Sequence, residues 1–231
     1  MKTIGLLGGM SWKSTESYYC QINEGITARL GGLHSAKICL YSVNFDEIEK
    51  LQDPGKWAEI AVILGDAARK VEAGGADFLA IYCNTMHKMA PEIEASIRIP
   101  LLHIADATAE QIIAKGLSKV GLLGTKFTME QDFYKRRLSE KHGINTIIPN
   151  SADRDLVNTV IYNELCLGKI YERSRKEYVR IIKSLAEQGA EAVILGCTEI
   201  SLLVQQEFTS VPLFDTTEIH ALRIVEEAVS E

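Results

Sequence analysis

The chain has 231 residues, 46% hydrophobic and 24% charged, the proportions of an ordinary globular protein and enough for one large domain or two modest ones. A formal net charge of −6 argues against a nucleic-acid partner, because phosphate binding relies on a positive surface. No apolar run is long enough to cross a bilayer, and the opening MKTIGLLGGMSW holds too short a run for a secretory signal, so a cytoplasmic protein with no membrane partner is expected.

In chain order, the apolar runs TIGLLGG, KICLYSV, DFLAIYC, PLLHIA, KVGLLGT, NTIIPN, AVILGC and PLFD alternate with amphipathic helical segments. Short all-apolar strands separated by helices predict a parallel sheet covered on both faces, and the class is α/β. Within a predicted helix, YKRRLSEKHG at Tyr134 to Gly143 is the densest basic patch and reads as a solvated face.

The pattern is written twice. IGLLGGMSWKST from Ile4 matches VGLLGTKFTMEQ from Val120, EAGGADFLAIYCNTMH pairs Cys83 with Cys197 in AEQGAEAVILGCTEIS, and IRIPLLHIADAT pairs Pro100 with Pro212 in TSVPLFDTTEIH. Three matches in the same order, at nearly constant spacing, predict an internal duplication. Two such domains facing one another would put both strand ends, and both thiols, on opposite sides of a shared cleft.

Five cysteines, widely spaced and without a CxxC pair, predict neither a disulfide framework nor a structural zinc site, and the five histidines lack metal spacing. In GADFLAIYCNTMHK, residues 75 to 88, an apolar run ends on Cys83 and switches at once to Asn84, Thr85 and His87. That places the sulfur at a strand's carboxyl end before a helix start, where open α/β sheets bind ligands and where a thiolate is stabilised. A cysteine there can also serve as a small buried hydrophobe. The duplication singles out Cys83 and Cys197, whereas Cys20, Cys39 and Cys166 have no cysteine counterpart and read as packing residues.

A thiolate and a thiol on opposite faces of one carbon can remove a proton and return one from behind, which inverts a stereocentre. Such a site calls for no metal and no redox cofactor, but one thiol must be ionised and the other protonated. An unperturbed cysteine titrates at about 8.5, so donors are needed nearby. Asn84, Thr85 and Thr198 supply them as helix caps, as binders of a substrate carboxylate, or as both. Glu199, next to the second thiol, reads as a holder of a substrate ammonium group, a tuner of the cysteine, or a first-turn helix acid. His87 reads as a satisfied, partly buried histidine. GGMSWKST fails as a phosphate loop because Trp12 stands where glycine is required before Lys13, and GLLGG lacks the third glycine of a dinucleotide fingerprint. Neither ATP nor NAD is expected, and nothing calls for pyridoxal phosphate.

At GLLGGMSW, YCNTMH and GCTEI the chain resembles the aspartate/glutamate racemase family, in particular its aspartate racemase branch, over essentially its whole length. The resemblance implies two duplicated parallel-sheet domains related by a pseudo-twofold axis, 1–98 plus 210–231 and 99–209, with the active site in the cleft between them. It implies a cofactor-independent amino-acid racemase, usually a homodimer, with Cys83 and Cys197 as the acid/base thiols. Met10, Gln52, Asn84, Thr85, Thr125, Thr198 and Glu199 match positions that line the family's substrate pocket. Rival readings are a hydantoin racemase, decarboxylase or maleate isomerase on the same scaffold, or a noncatalytic amino-acid sensor. Decarboxylases of this type use one thiol and a sensor needs none, so two cysteines count against both.

Relatives committed to acidic amino acids resemble one another in offering an arginine and a lysine where this chain has Ile48 and Cys166. A side-chain carboxylate with no cation partner is costly to bury. Hence kcat/KM for a neutral polar amino acid such as homoserine is expected to equal or exceed that for aspartate. Cys166→Lys should move the ratio toward aspartate about tenfold, through one charge-assisted hydrogen bond of about 1.5 kcal/mol. Paired steady-state kinetics on both proteins decide this, and a strong wild-type preference for aspartate refutes it.

Overall fold

The computed structural model describes residues 1–52 and 54–230 and divides the chain into two compact units, Met1–Ile104 joined by the chain from His220 onward, and Ala105–Ile219. The first unit runs β1 (Ile4–Gly8), α1 (Trp12–Leu30), β2 (Ile38–Ser42), α2 (Phe45–Gln52), α3 (Trp57–Ala73), β3 (Phe78–Ile81), a 3₁₀ turn (Thr85–Met89), α4 (Ala90–Glu94) and β4 (Leu101–Leu102). Next come α5 (Ile104–Ala114), β5 (Lys119–Gly124), α6 (Lys126–Glu130), α7 (Asp132–Arg136), a π-turn (Arg137–Lys141) and β6 (Asn145–Ile147). The chain continues through α8 (Ser151–Asn163), a 3₁₀ turn (Leu165–Leu167), α9 (Glu172–Glu187), β7 (Ala192–Gly196), α10 (Ile200–Leu203), β8 (Leu213–Asp215) and α11 (Thr216–Val229).

Each unit holds one four-stranded parallel sheet, ordered β2-β1-β3-β4 in the first and β6-β5-β7-β8 in the second. The duplicated sequence thus folds to a duplicated topology, with the eight apolar runs supplying the eight strands. The breaks fall later in the chain than 98 and 209. β4 pairs with β3 and β8 with β7, so each sheet keeps its own last strand before the chain leaves it.

Strand residues alternate between faces, and the two faces of the first sheet build two cores. Leu7, Leu79 and Ile81 pack with Ile60, Leu64, Ala67, Ala68 and Val71 of α3. Ile4, Leu6, Phe78, Ala80 and Tyr82 pack with Tyr18, Ile22 and Ile26 of α1 and with Ala221, Ile224, Val225 and Ala228 of α11. The chain therefore returns to the first unit because that sheet's second face would otherwise be half covered.

In the second unit α9 is strongly amphipathic. Its buried Tyr178, Ile181, Ile182 and Leu185 recur at helical spacing and pack against Leu123, Val193 and Leu195. Burying each of these large side chains stabilises by roughly 1.5–3 kcal/mol.

The basic patch at Tyr134 to Gly143 departs from expectation. Arg137 Nε and Nη2 each donate to Asp106 at 2.7 Å, Lys141 Nζ at 2.6 Å, and His142 Nε2 lies 2.9 Å away. Burial opposes ionisation of Asp106, but these bonds outweigh it and hold the carboxyl well below the usual carboxylate range. One face of the patch thus clasps α5, while Arg136 and Glu140 stay exposed.

The loop after β1 is pinned by Gly9. Its φ is +94°, its N–H donates to Thr15 Oγ1 at 2.8 Å, and a Cβ there would collide with the Val43 backbone. Gly9→Ala should therefore cost about 1–3 kcal/mol of stability in chemical denaturation. A change of only a few tenths would show that the loop relaxes freely.

Candidate active site

In each unit the first and third strands of the sequence lie side by side, so the loops leaving their carboxyl ends meet. In the first unit Leu7 pairs with Ile81, and Tyr82 N–H donates to Leu7 carbonyl at 3.0 Å. Cys83 follows directly, half-buried, and packs on the cluster that contains Met10, Ile48, Ile81 and Met86. Gln52 is buried on α2 one helical turn beyond Ile48, and Asn84 and Thr85 are buried after Cys83. In the second unit Gly124 pairs with Gly196, which sets Thr125 beside Cys197. Thr125, Cys197, Thr198 and Glu199 are all buried there.

The expected caps take another form. Cys83 leads into the 3₁₀ segment Thr85–Met89, which runs directly into α4, and Cys197 into the four-residue α10, and neither Asn84 nor Glu199 makes a side-chain capping bond. Thr125 does cap α6, its Oγ1 accepting the Thr128 N–H at 3.3 Å, with Thr128 Oγ1 3.2 Å away.

Cys197 receives the backbone hydrogen bond from Glu199 that favours a thiolate, but burial and a carboxylate partner act against it. Its S–H donates to Glu199 Oε2 at 3.1 Å, and Thr198 Oγ1 donates to the same oxygen at 2.8 Å. Burial pushes the Cys197 thiol well up, and the Glu199 carboxylate and Cys166 raise it further. The site as folded favours the protonated sulfur.

The remaining cysteines divide. Cys39 is half-buried against the first unit's core. Cys20 is exposed on α1 rather than packed, because the buried stripe of that helix runs through Tyr18, Ile22 and Ile26. Cys166 packs against the cluster holding Cys197, close enough to feel its charge, a proximity that no local sequence signal announces. His87 is buried and bonded at both ring nitrogens, in keeping with its reading as a satisfied histidine. Among the described residues there is no group of three or more His, Cys, Asp or Glu that could hold a metal ion, and no helix long and apolar enough to cross a membrane.

Two duplicated parallel sheets, each with a cysteine just past its third strand, define a two-thiol α/β scaffold. The family model for Asp/Glu/hydantoin racemases matches residues 7–224, and the chain belongs to that family of amino-acid racemases, which are isomerases. It is 27% identical to the broad specificity amino-acid racemase RacX of Bacillus subtilis (strain 168), over 93% of this chain and 92% of that one. Its fold superposes with a TM-score of 0.93 on a Yersinia pestis protein assigned provisionally to the Asp/Glu racemases, 56% identical over the whole of both chains. An aspartate racemase homologue from Pyrococcus horikoshii OT3 matches with a TM-score of 0.84 and 36% identity, again over both full chains.

Replacing Glu199 with glutamine removes the neighbouring negative charge that favours the thiol and leaves only a neutral amide acceptor. The Cys197 pKa should therefore fall, and its alkylation by iodoacetamide at mildly alkaline pH should speed up several-fold. Rate–pH profiles at the mass-mapped Cys197 peptide check the sign, and an unchanged or slower reaction contradicts it.

Proposed function

We propose that the protein is a cofactor-independent amino-acid racemase in which Cys83 and Cys197 exchange protons with the substrate Cα from opposite faces. The observation that carries this reading is the repeated placement of a thiol just beyond the third strand of each duplicated sheet. One sulfur, as thiolate, takes the Cα proton, and the electron pair left behind delocalises into the substrate carboxylate. The other sulfur, as thiol, then delivers its proton from behind, leaving the antipode and the two protonation states exchanged.

The environment of Cys197 favours its role as the resting thiol, with Cys83 as base in that direction. In the reverse direction the roles exchange, starting from the Cys197 thiolate and Cys83 thiol that a forward turnover leaves behind. Met10, Gln52, Asn84, Thr85, Thr125, Thr198 and Glu199 are proposed to line the substrate site. The protein is further proposed to act as a cytoplasmic homodimer.

For substrate class, the proposal is aspartate, glutamate or, preferentially, a neutral polar amino acid such as homoserine. Ile48 is fully buried in an apolar cluster and Cys166 bears no positive charge, so neither can neutralise a side-chain carboxylate. The breadth stated in the name of the Bacillus subtilis relative points the same way.

In deuterium oxide, without added cofactor, the enzyme should incorporate deuterium at Cα while converting L to D. Cys83→Ala and Cys197→Ala should each lower kcat by about a hundredfold or more, while Cys20→Ala and Cys39→Ala leave it largely intact. Dependence on added pyridoxal phosphate, or full activity in either of the first two variants, would overturn the reading.

A further inference from the structure

His87 makes bonds that link Cys83 to a distant part of the chain. Its Nδ1 lies 2.8 Å from the Cys83 carbonyl oxygen, and its Nε2 lies 3.2 Å from the backbone N of Ile104, the first residue of α5. A carbonyl accepts and a backbone N–H donates, so Nδ1 carries the proton and Nε2 is bare. One neutral tautomer fits both contacts, and a doubly protonated ring would set an N–H against the Ile104 N–H. The ring is buried and lies against His103, centroids 4.3 Å apart at 57°, with His220 beyond at 6.2 Å.

The imidazole joins two backbone groups. The 3₁₀ turn directs the His87 backbone N–H to the Asn84 carbonyl at 3.2 Å, so it does not serve Cys83. Ile104 N–H belongs to the opening turn of a helix, whose donors have no partner within the helix. A single side chain satisfies the two and spans the gap between the end of β3 and the start of α5.

The second copy is built differently. By the duplication, His87 corresponds to Ser201, whose short hydroxyl contacts the Thr198 carbonyl at 3.4 Å and the Asp215 carboxyl, but not the carbonyl of the cysteine-bearing residue. The Cys197 carbonyl accepts the Ile200 backbone N–H at 3.0 Å, and its sulfur is bonded to Glu199. The imidazole bridge is thus peculiar to the Cys83 half and acts on the backbone of the thiol-bearing residue.

We propose that His87 is a positioning residue for Cys83: it ties the Cys83 carbonyl to the start of α5 and so sets the direction from which Sγ meets the substrate. This rests on the reading of Cys83 as an acid/base thiol. A displacement of about 1 Å at a reacting group can cost roughly a hundredfold in rate.

Three variants test it. His87→Asn keeps a donor at the Nδ1 position toward Cys83, His87→Gln has a longer side chain that reaches toward Ile104 but cannot also donate to Cys83, and His87→Leu removes both bonds. Expected is a kcat loss of about a hundredfold in His87→Leu and His87→Gln with KM within about threefold, and recovery to within about tenfold of wild type in His87→Asn. Should His87→Leu fail to fold, the Gln/Asn comparison carries the test. Wild-type kcat per folded molecule in His87→Gln would make the histidine purely structural and overturn the proposal.

A second readout is independent of racemisation. The iodoacetamide rate at Cys83, mapped by mass spectrometry, should rise about tenfold in His87→Gln as the strand end loosens, stay within about threefold in His87→Asn, and leave Cys197 unaffected. An unchanged or slower Cys83 rate overturns the positioning role even if the wild-type protein racemises nothing. A faster one upholds that role and leaves any lack of racemisation to count against the proposed function alone.

Discussion

A parallel sheet sends every strand the same way, so all its carboxyl ends open onto one edge. The chain must leave that edge by a loop and return along a covering helix. The order 2-1-3-4 then makes the ends of the first and third strands neighbours, at Gly8 and Ile81 in one unit and Gly124 and Gly196 in the other. Functional groups on the loops that follow gather there without long insertions. Apolar burial on both faces makes those ends rigid, since Leu7 and Ile81 face α3 while Leu6 and Ala80 face α1 and α11.

The sulfur chemistry follows from which neighbour each loop supplies. Burial alone disfavours an ionised thiol, and a carboxylate 3.1 Å from the sulfur disfavours it further. Cys197 with Glu199 is therefore a proton-holding pair. Two-sided proton transfer needs unlike protonation states, and an asymmetric pair of surroundings is a direct way to set them apart. Duplication supplies two similar strand ends, and divergence at one position, Thr85 in one copy and Glu199 in the other, makes them chemically unlike.

The same divergence reaches the scaffold. His87 and Ser201 occupy matching positions, yet the first bridges two backbone groups and the second joins the Thr198 carbonyl to a side chain, Asp215. Buried histidines in the first unit extend this network. His220 lies 3.0 Å from the Leu102 carbonyl at Nε2 and 3.2 Å from Tyr18 OH at Nδ1, and burial lowers its pKa to about 4, keeping it neutral. Neutral imidazoles suit such a place, because each offers one donor and one acceptor.

The eight strands, their pairing into two copies and the thiol at each third-strand end were legible in the sequence, because a buried parallel strand must be apolar on both faces and a duplication preserves order. The ends of the units were not, since a two- or three-residue strand such as β4 or β8 declares its sheet only by the neighbour it pairs with. Asn84 looked like a helix cap and Glu199 could read as a first-turn helix acid because the residue types suit those places, but neither makes a side-chain capping bond. The basic run around Arg137 looked solvated because its partner, Asp106, lies on another helix. Periodicity and repetition by themselves determined the class, the sheets and the candidate thiols, all of which depend on local pattern. Tertiary structure alone decided that Cys197 sits as a thiol against Glu199, that Cys166 stands near it, and that His87 joins Cys83 to Ile104. Protonation and orientation depend on charge, burial and contacts between residues that no spacing rule connects.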